Sequence, residues 1–151
     1  MELKKTPFHN KNIAAGAKMV PFAGYEMAVT YDGLTAEHNN VRNNVGMFDV
    51  SHMGEFYVTG PESLQLIQSI TSNDASKLTP GKIQYSCMPN ATGGIVDDLL
   101  VYCISPTEYL LVVNGACLDK DWAWVNEHNH FNCKLENRSA NIALLAVQGP
   151  N

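Results

Sequence analysis

The sequence predicts an α+β fold, antiparallel sheets flanked by helices, with a split βαβ or ferredoxin-like middle part. Two observations carry this. Between about residues 48 and 138 the runs read strand, helix, three strands, helix, strand. The three consecutive strands are separated by turn compositions, Pro89-Asn90-Ala91-Thr92-Gly93-Gly94 and Ser105-Pro106-Thr107-Glu108, which suit hairpins.

Thr6 before Pro7 is a helix-start signal and Gly16 a C-terminal one, so a short helix is expected over 7–15. Lys18 to Phe22 and Tyr25 to Tyr31 lack helical spacing and flank Ala23-Gly24, which predicts two extended segments around a turn. The polar stretch from Leu34 to Asn44, closed by Val45-Gly46, reads as a surface helix with its terminal glycine. Met47–Val50 and Gly54–Val58 read as strands. Gly60-Pro61-Glu62-Ser63 then opens a helix with apolar residues at Leu64, Leu66, Ile67 and Ile70. Strands are expected over 82–88, 95–104 and 109–114, a helix over 119–130 with Trp122 and Val125 on one side, and a strand over 132–135. The apolar run Ile142-Ala143-Leu144-Leu145-Ala146-Val147 reads as a strand buried on both faces, although the chain stops at Asn151. A downstream half is expected to cover it.

Composition narrows the class. The net charge is −5 and the ten Lys and Arg residues are scattered, so no basic stripe faces a phosphate backbone and nucleic acid is excluded as a partner. No apolar run approaches the roughly 20 residues that span a bilayer, and no signal-peptide core follows Met1, which implies no membrane and a cytoplasmic location. Cys87, Cys103, Cys117 and Cys133 form no C-x-x-C pair and read as reduced, mostly buried thiols.

The chemistry concentrates in Ile95-Val96-Asp97-Asp98-Leu99-Leu100-Val101-Tyr102, because carboxylates are depleted from strands and costly to bury unpartnered. Alternation sends Asp97 and Asp98 to opposite faces, so the two cannot share a proton. If Met88 pairs with Ile95, Tyr85 lies opposite Asp98, and Tyr102 shares its face. Should Asn114 fall opposite Leu100, its amide joins them, whereas a one-residue slip removes it. Such a face would form a flat pocket for a heteroaromatic ligand. The competing reading is that both acids are edge-strand charges that discourage aggregation, a reading stronger for Asp97.

Other constellations are weaker. Asp49, Ser51 and His52 resemble a triad by type only, since adjacent Ser and His cannot easily converge and no nucleophile elbow surrounds Ser51; Met53 reads as a pocket wall. His128 and His130 do not share a helical face, so no metal is expected there. Gly93-Gly94 lacks the Lys-Ser/Thr and the helix of a phosphate loop.

With these residues in view, the chain resembles the aminomethyltransferase (T-protein) family of the glycine cleavage system over nearly its whole length. The resemblance rests on the motif running from Gly16-Ala17-Lys18-Met19 to Gly24-Tyr25-Glu26-Met27, on Val41-Arg42, and on Val45-Gly46-Met47-Phe48-Asp49-Val50-Ser51-His52-Met53-Gly54. Gly93-Gly94-Ile95-Val96-Asp97-Asp98, Val112-Val113-Asn114 and Ala146-Val147-Gln148-Gly149-Pro150 complete it.

The resemblance implies transfer of a methylene carbon from the aminomethyl group on the lipoyl arm of H-protein to tetrahydrofolate, with release of ammonia and without a metal. Asp98 matches the family's essential aspartate, where a carboxylate orients the pterin, assists proton transfer or stabilises an iminium-like transition state. Met53, Tyr85, Leu99, Leu100, Tyr102, Leu110, Val112 and Asn114 match folate-lining positions. Leu99 points away from Asp98 in an ideal strand, so its inclusion implies a bulge or a backbone contact. The family also implies that residues 1–47 and 140–151 belong to a first folate-binding subdomain and 48–139 to a second, ferredoxin-like one.

Family members run to more than twice this length, so one wall of the folate site is expected here, inactive by itself, with exposed apolar strand surface that drives the chain to dimerise. Two alternatives share the folate wall: a non-transferase relative that assists iron–sulfur protein maturation, and the folate domain of a dimethylglycine or sarcosine oxidising enzyme. The first is disfavoured by the motifs at 45–54 and 93–98, the second by the lack of a flavin-binding G-x-G-x-x-G loop.

Overall fold

The computed structural model describes residues 2–151. In chain order its elements begin with β1 (Lys4–Lys5), α1 (His9–Ala14), β2 (Lys18–Phe22), β3 (Tyr25–Thr30), α2 (Leu34–Asn43) and β4 (Gly46–Asp49). There follow β5 (Gly54–Thr59), α3 (Ser63–Ile70), β6 (Ile83–Pro89), β7 (Ile95–Ser105), β8 (Glu108–Val113), α4 (Leu118–Glu127), β9 (Lys134–Asn137) and β10 (Leu145–Gln148). The chain divides into two units, residues 1–52 with 143–151, and residues 53–142.

In the first unit β2 and β3 form a hairpin whose two-residue turn, Ala23 and Gly24, takes positive φ at both positions, as a type I′ turn requires. β1, absent from the sequence expectation, adds to β3 in parallel. The first helix starts at His9 rather than beside Thr6. The Thr6 hydroxyl instead donates to the Asp49 carboxylate at 2.6 Å, and Phe8 takes the N-cap position without a side-chain hydrogen bond. Gly16 ends that helix with φ +84°, as expected. Gly46 does not cap α2. It lies in β4 opposite Gln148, and the helix end is closed instead by the Asn40 amide on the Val45 carbonyl at 2.6 Å.

The last strand has other bounds than expected. It begins at Leu145, pairs with β4 alone, and exposes 66% of Val147, because a two-stranded ladder leaves side chains uncovered.

The second unit is a five-stranded sheet in the order β6-β7-β8-β5-β9, antiparallel at every neighbour. One face meets α3 and α4. Phe56 and Val58 of β5, Leu99 and Val101 of β7, and Leu111 and Val113 of β8 alternate into a core with Leu66, Ile67 and Ile70 of α3 and Val125 of α4. Gly60, at φ +139°, lets β5 leave the sheet where any Cβ would lie 2.6 Å from the Asn132 carbonyl oxygen.

Glu55 points to the opposite face and is 0% exposed, with neither carboxylate oxygen receiving a hydrogen bond. Burial pushes its pKa from 4.5 up to about 7. A carboxyl raised in the folded state contributes stability that is complete below its unfolded pKa and is lost as pH rises through 7. Glu55→Gln removes the ionisation. The variant is therefore expected to match the parent near pH 4 and to gain roughly 1–3 kcal/mol over it above pH 7, read by urea denaturation at both pH values.

Candidate functional site

Alternation along β7 puts Asp97 on the core face with Leu99 and Val101, and Asp98 on the other with Leu100 and Tyr102. Asp98 is held from both sides. The Tyr85 hydroxyl donates to its Oδ2 at 2.8 Å and the Asn114 amide to its Oδ1 at 3.0 Å. That hydrogen bond holds the Tyr85 phenol above its ordinary pKa.

The register differs from expectation by two residues on each side. Tyr85 pairs with Leu100 because Pro89 rather than Met88 faces Ile95 and an irregularity between Met88 and Pro89 adds one more residue of offset, and Val113 pairs with Leu99, which brings Asn114 abreast of Asp98 instead of Leu100. A slip of two preserves the face. Tyr85 therefore reaches Asp98 diagonally rather than from directly opposite.

Across this face the strands set Tyr85, Leu100, Val112 and Glu55 in one row, and Ile83, Tyr102, Leu110 and Tyr57 in the next. Half-buried Met53 immediately precedes Gly54, the partner of Val113. Thus Tyr85, Leu100, Tyr102, Leu110 and Val112 share one sheet face with Asp98, and Met53 and Asn114 lie at its near end. Leu99 does not. Its side chain is in the core, no bulge turns it, and only its backbone borders the face.

Asp97 is no edge charge, because β7 has a neighbour on both sides. Its Oδ1 accepts from the Asn114 amide at 3.0 Å and from the Asp98 backbone N–H at 2.9 Å. On the core side it faces Asp121 of α4, which is 0% exposed, and Asp97 Oδ2 and both Asp121 oxygens are buried with no donor from another side chain or the backbone. Burial, followed by the bond to Asp97, raises Asp121 to about 7. Burial opposes ionisation of Asp97 as well, but the bonds from Asp121, Cys117, Asn114 and the Asp98 amide outweigh it and leave its pKa lowered. Sequence reasoning missed Asp121. The signal was available: Asp121 lies one turn before Val125, on the buried stripe of α4.

The remaining candidates are structural. Ser51 accepts from the Leu144 backbone N–H at 3.0 Å and is locked against that strand, while His52 meets Phe22 edge-on at 5.4 Å. His128 packs on Trp124. Among the described residues no group of three or more His, Cys, Asp or Glu is arranged to hold a metal, and no helix is long and apolar enough to cross a membrane. All four cysteines are free, but only Cys103 is buried. Cys87, Cys117 and Cys133 are half-buried, lying at the ends of elements or on the face away from the core.

A family model described as the GCVT N-terminal domain matches residues 8–151. The aminomethyltransferase of Bacteroides thetaiotaomicron is 60% identical over 148 residues, which is 98% of this chain and 41% of that protein. The one from Deinococcus deserti is 52% identical over 149 residues, 98% of this chain and 42% of that protein. The crystal structure of glycine cleavage system aminomethyltransferase T from Bartonella henselae has a TM-score of 0.87 at 34% identity, covering 99% of this chain and 41% of that one. The chain spans about two-fifths of the length of the curated relatives it matches. Since the family model covers all but the first seven residues, this chain belongs to the family defined by the GCVT N-terminal domain.

Proposed function

We propose that the chain supplies the Asp98 wall of a tetrahydrofolate site in a glycine cleavage aminomethyltransferase, and that the lipoylated H-protein delivers the aminomethyl group to it. In this reading the strand order of the second unit is that of a ferredoxin-like subdomain carrying one additional edge strand, β6, and the first unit is part of a neighbouring folate-binding subdomain. The observation that carries the reading is Asp98 itself. It is a carboxylate with one oxygen fixed by a tyrosine hydroxyl and the other by an amide, on a sheet face lined with Leu100, Tyr102, Leu110 and Val112.

A flat apolar face with one oriented carboxylate suits a pterin, whose ring stacks on side chains while its N–H groups seek an acceptor. Asp98, pinned by neutral donors, keeps lone pairs free for such a group. As ammonia leaves the aminomethyl carbon and that carbon bonds to a folate nitrogen, positive charge develops beside the carboxylate, which stabilises it without reorganising.

In a chain of the relatives' full length, Asp98→Ala is expected to slow methylenetetrahydrofolate formation from aminomethylated H-protein by about 10²–10⁴-fold. Tyr85→Phe, which removes one of its two anchors, is expected to cost about ten-fold or less. An Asp98→Ala enzyme within a few-fold of the parent would remove Asp98 from the mechanism.

We also propose that the chain in isolation pairs with a second copy through the β4–β10 ladder, where Met47 and Val147 are each 66% exposed and Leu145, also exposed, shares their face. A two-stranded ladder has two open edges and a bare apolar face. Sedimentation velocity should show a concentration-dependent dimer that Met47→Lys with Val147→Lys abolishes. A parent chain that stays monomeric at the highest attainable concentration overturns this.

A further inference from the structure

Behind the Asp98 face lies a pair of groups that the reading above leaves unused. Asp121 of α4 is fully buried, and no N–H donor reaches either of its oxygens. Its nearest cation, Lys120 Nζ, is 3.9 Å from Oδ1 and already donates to the Val96 carbonyl at 2.5 Å. Asp97 Oδ2, also buried, likewise receives no donor of that kind. Two carboxylates in a hydrogen bond with each other need a proton between them, because oxygen lone pairs alone repel. Asp97 Oδ1 is stabilised as an anion by two donors, the Asn114 amide and the Asp98 N–H, whereas Asp121 has none. The proton therefore resides on Asp121.

We propose that Asp121 holds one buried proton against Asp97 and thereby fixes the Asn114 amide that orients Asp98, which makes Asp121 a positioning residue for the reaction. The inference rests on the role assigned to Asp98 above.

The chain of contacts is short. Asp121 donates to Asp97 Oδ2, so Asp97 Oδ1 is turned toward Asn114. The same Asn114 nitrogen then donates to Asp97 Oδ1 and to Asp98 Oδ1, each at 3.0 Å. One amide thus bridges the two faces of β7. The groups facing Asp121 are Asp97 and, further off, Asp98 from β7, together with Lys120 beside it on α4; Cys117, at the start of that helix, faces Asp97. When the proton leaves to solvent, the pair goes from one negative charge to two in a buried place, with Asp98 a third nearby. Asp97 is then repelled and the Asn114 bridge loosens. Desolvation and Asp97 set the Asp121 pKa at about 7, so the change falls within the working range of an enzyme at neutral pH.

The test combines kinetics and spectroscopy in a chain of the relatives' full length. The parent enzyme is expected to show kcat falling on the alkaline side. Asp121→Leu, with no proton to give, is expected to lower kcat about ten-fold at pH 6 while moving the folate KM less than about two-fold. Asp121→Asn, whose amide donates to Asp97 at every pH, recovers most of that loss and lacks the alkaline limb.

Independently of turnover, the infrared carbonyl band of a protonated carboxyl should be present at pH 6 in the 151-residue chain carrying Glu55→Gln, and should vanish when Asp121→Asn is added. An unchanged alkaline limb in Asp121→Asn, or a band that survives it, overturns the proposal. Should Asp98→Ala prove harmless, the reading of the site fails instead, and the infrared band still decides where the proton lies.

Discussion

The antiparallel pairing of β7 with β8, Leu99 against Val113 and Leu100 against Val112, is the constraint on which the second unit depends. It decides which side chains of the longest strand meet the helices and which meet the open face. A one-residue slip would carry Leu99 and Val101 out of the core and bring Leu100 and Tyr102 in. The burial of Val101, Leu111 and Val113 against α3 makes that slip costly, at about 25 cal/mol for each Å² of apolar surface returned to water. The position of Asp98 is therefore secured by hydrophobic packing on the far side of the sheet, rather than by its own hydrogen bonds.

Polar satisfaction then decides the details. Asp97 has no choice of face, so the fold brings donors to its Oδ1, the Asn114 amide and the Asp98 N–H, and sets the proposed proton of Asp121 against its other oxygen. Placing asparagine just past the end of β8 allows one side-chain nitrogen to reach both sides of the neighbouring strand. Glu55, on the same face as Asp98 but two strands away, shows the opposite outcome. With no donor, burial favours its neutral form and raises its pKa to about 7.

Most elements were legible in the sequence, because glycine and proline mark the turns and the periods of two and 3.6 are clear between them. The separation of Asp97 from Asp98 followed from alternation alone, as did the grouping of Asp98 with Tyr102, whereas Tyr85 joined them only through an assumed pairing of Met88 with Ile95. The exact pairing did not follow, because hairpin register depends on an irregularity at Met88 and Pro89 that composition does not reveal. Asp121 was overlooked because an acid in the first turn of a helix ordinarily faces solvent, and only the stripe it shares with Val125 argues otherwise. The strand at the end of the chain begins later than its apolar run suggested. Apolar character reports what a segment can bury, while its pairing in this structure is with β4 alone.

The first unit is built from two stretches of chain with all of residues 53–142 between them, so β4 and β10 must find each other across a long interval. In an unfolded chain that closure is entropically unfavourable and slow. Once the second unit has formed, Phe56 lies opposite Asn137 and the Arg138 N–H donates to the Glu55 carbonyl at 2.9 Å, so its entry and exit leave side by side. The effective loop shrinks to a few residues at each end. The five-stranded sheet thus serves as a clamp on chain ends: with it formed, the β4–β10 ladder closes over a short effective interval instead of a long one.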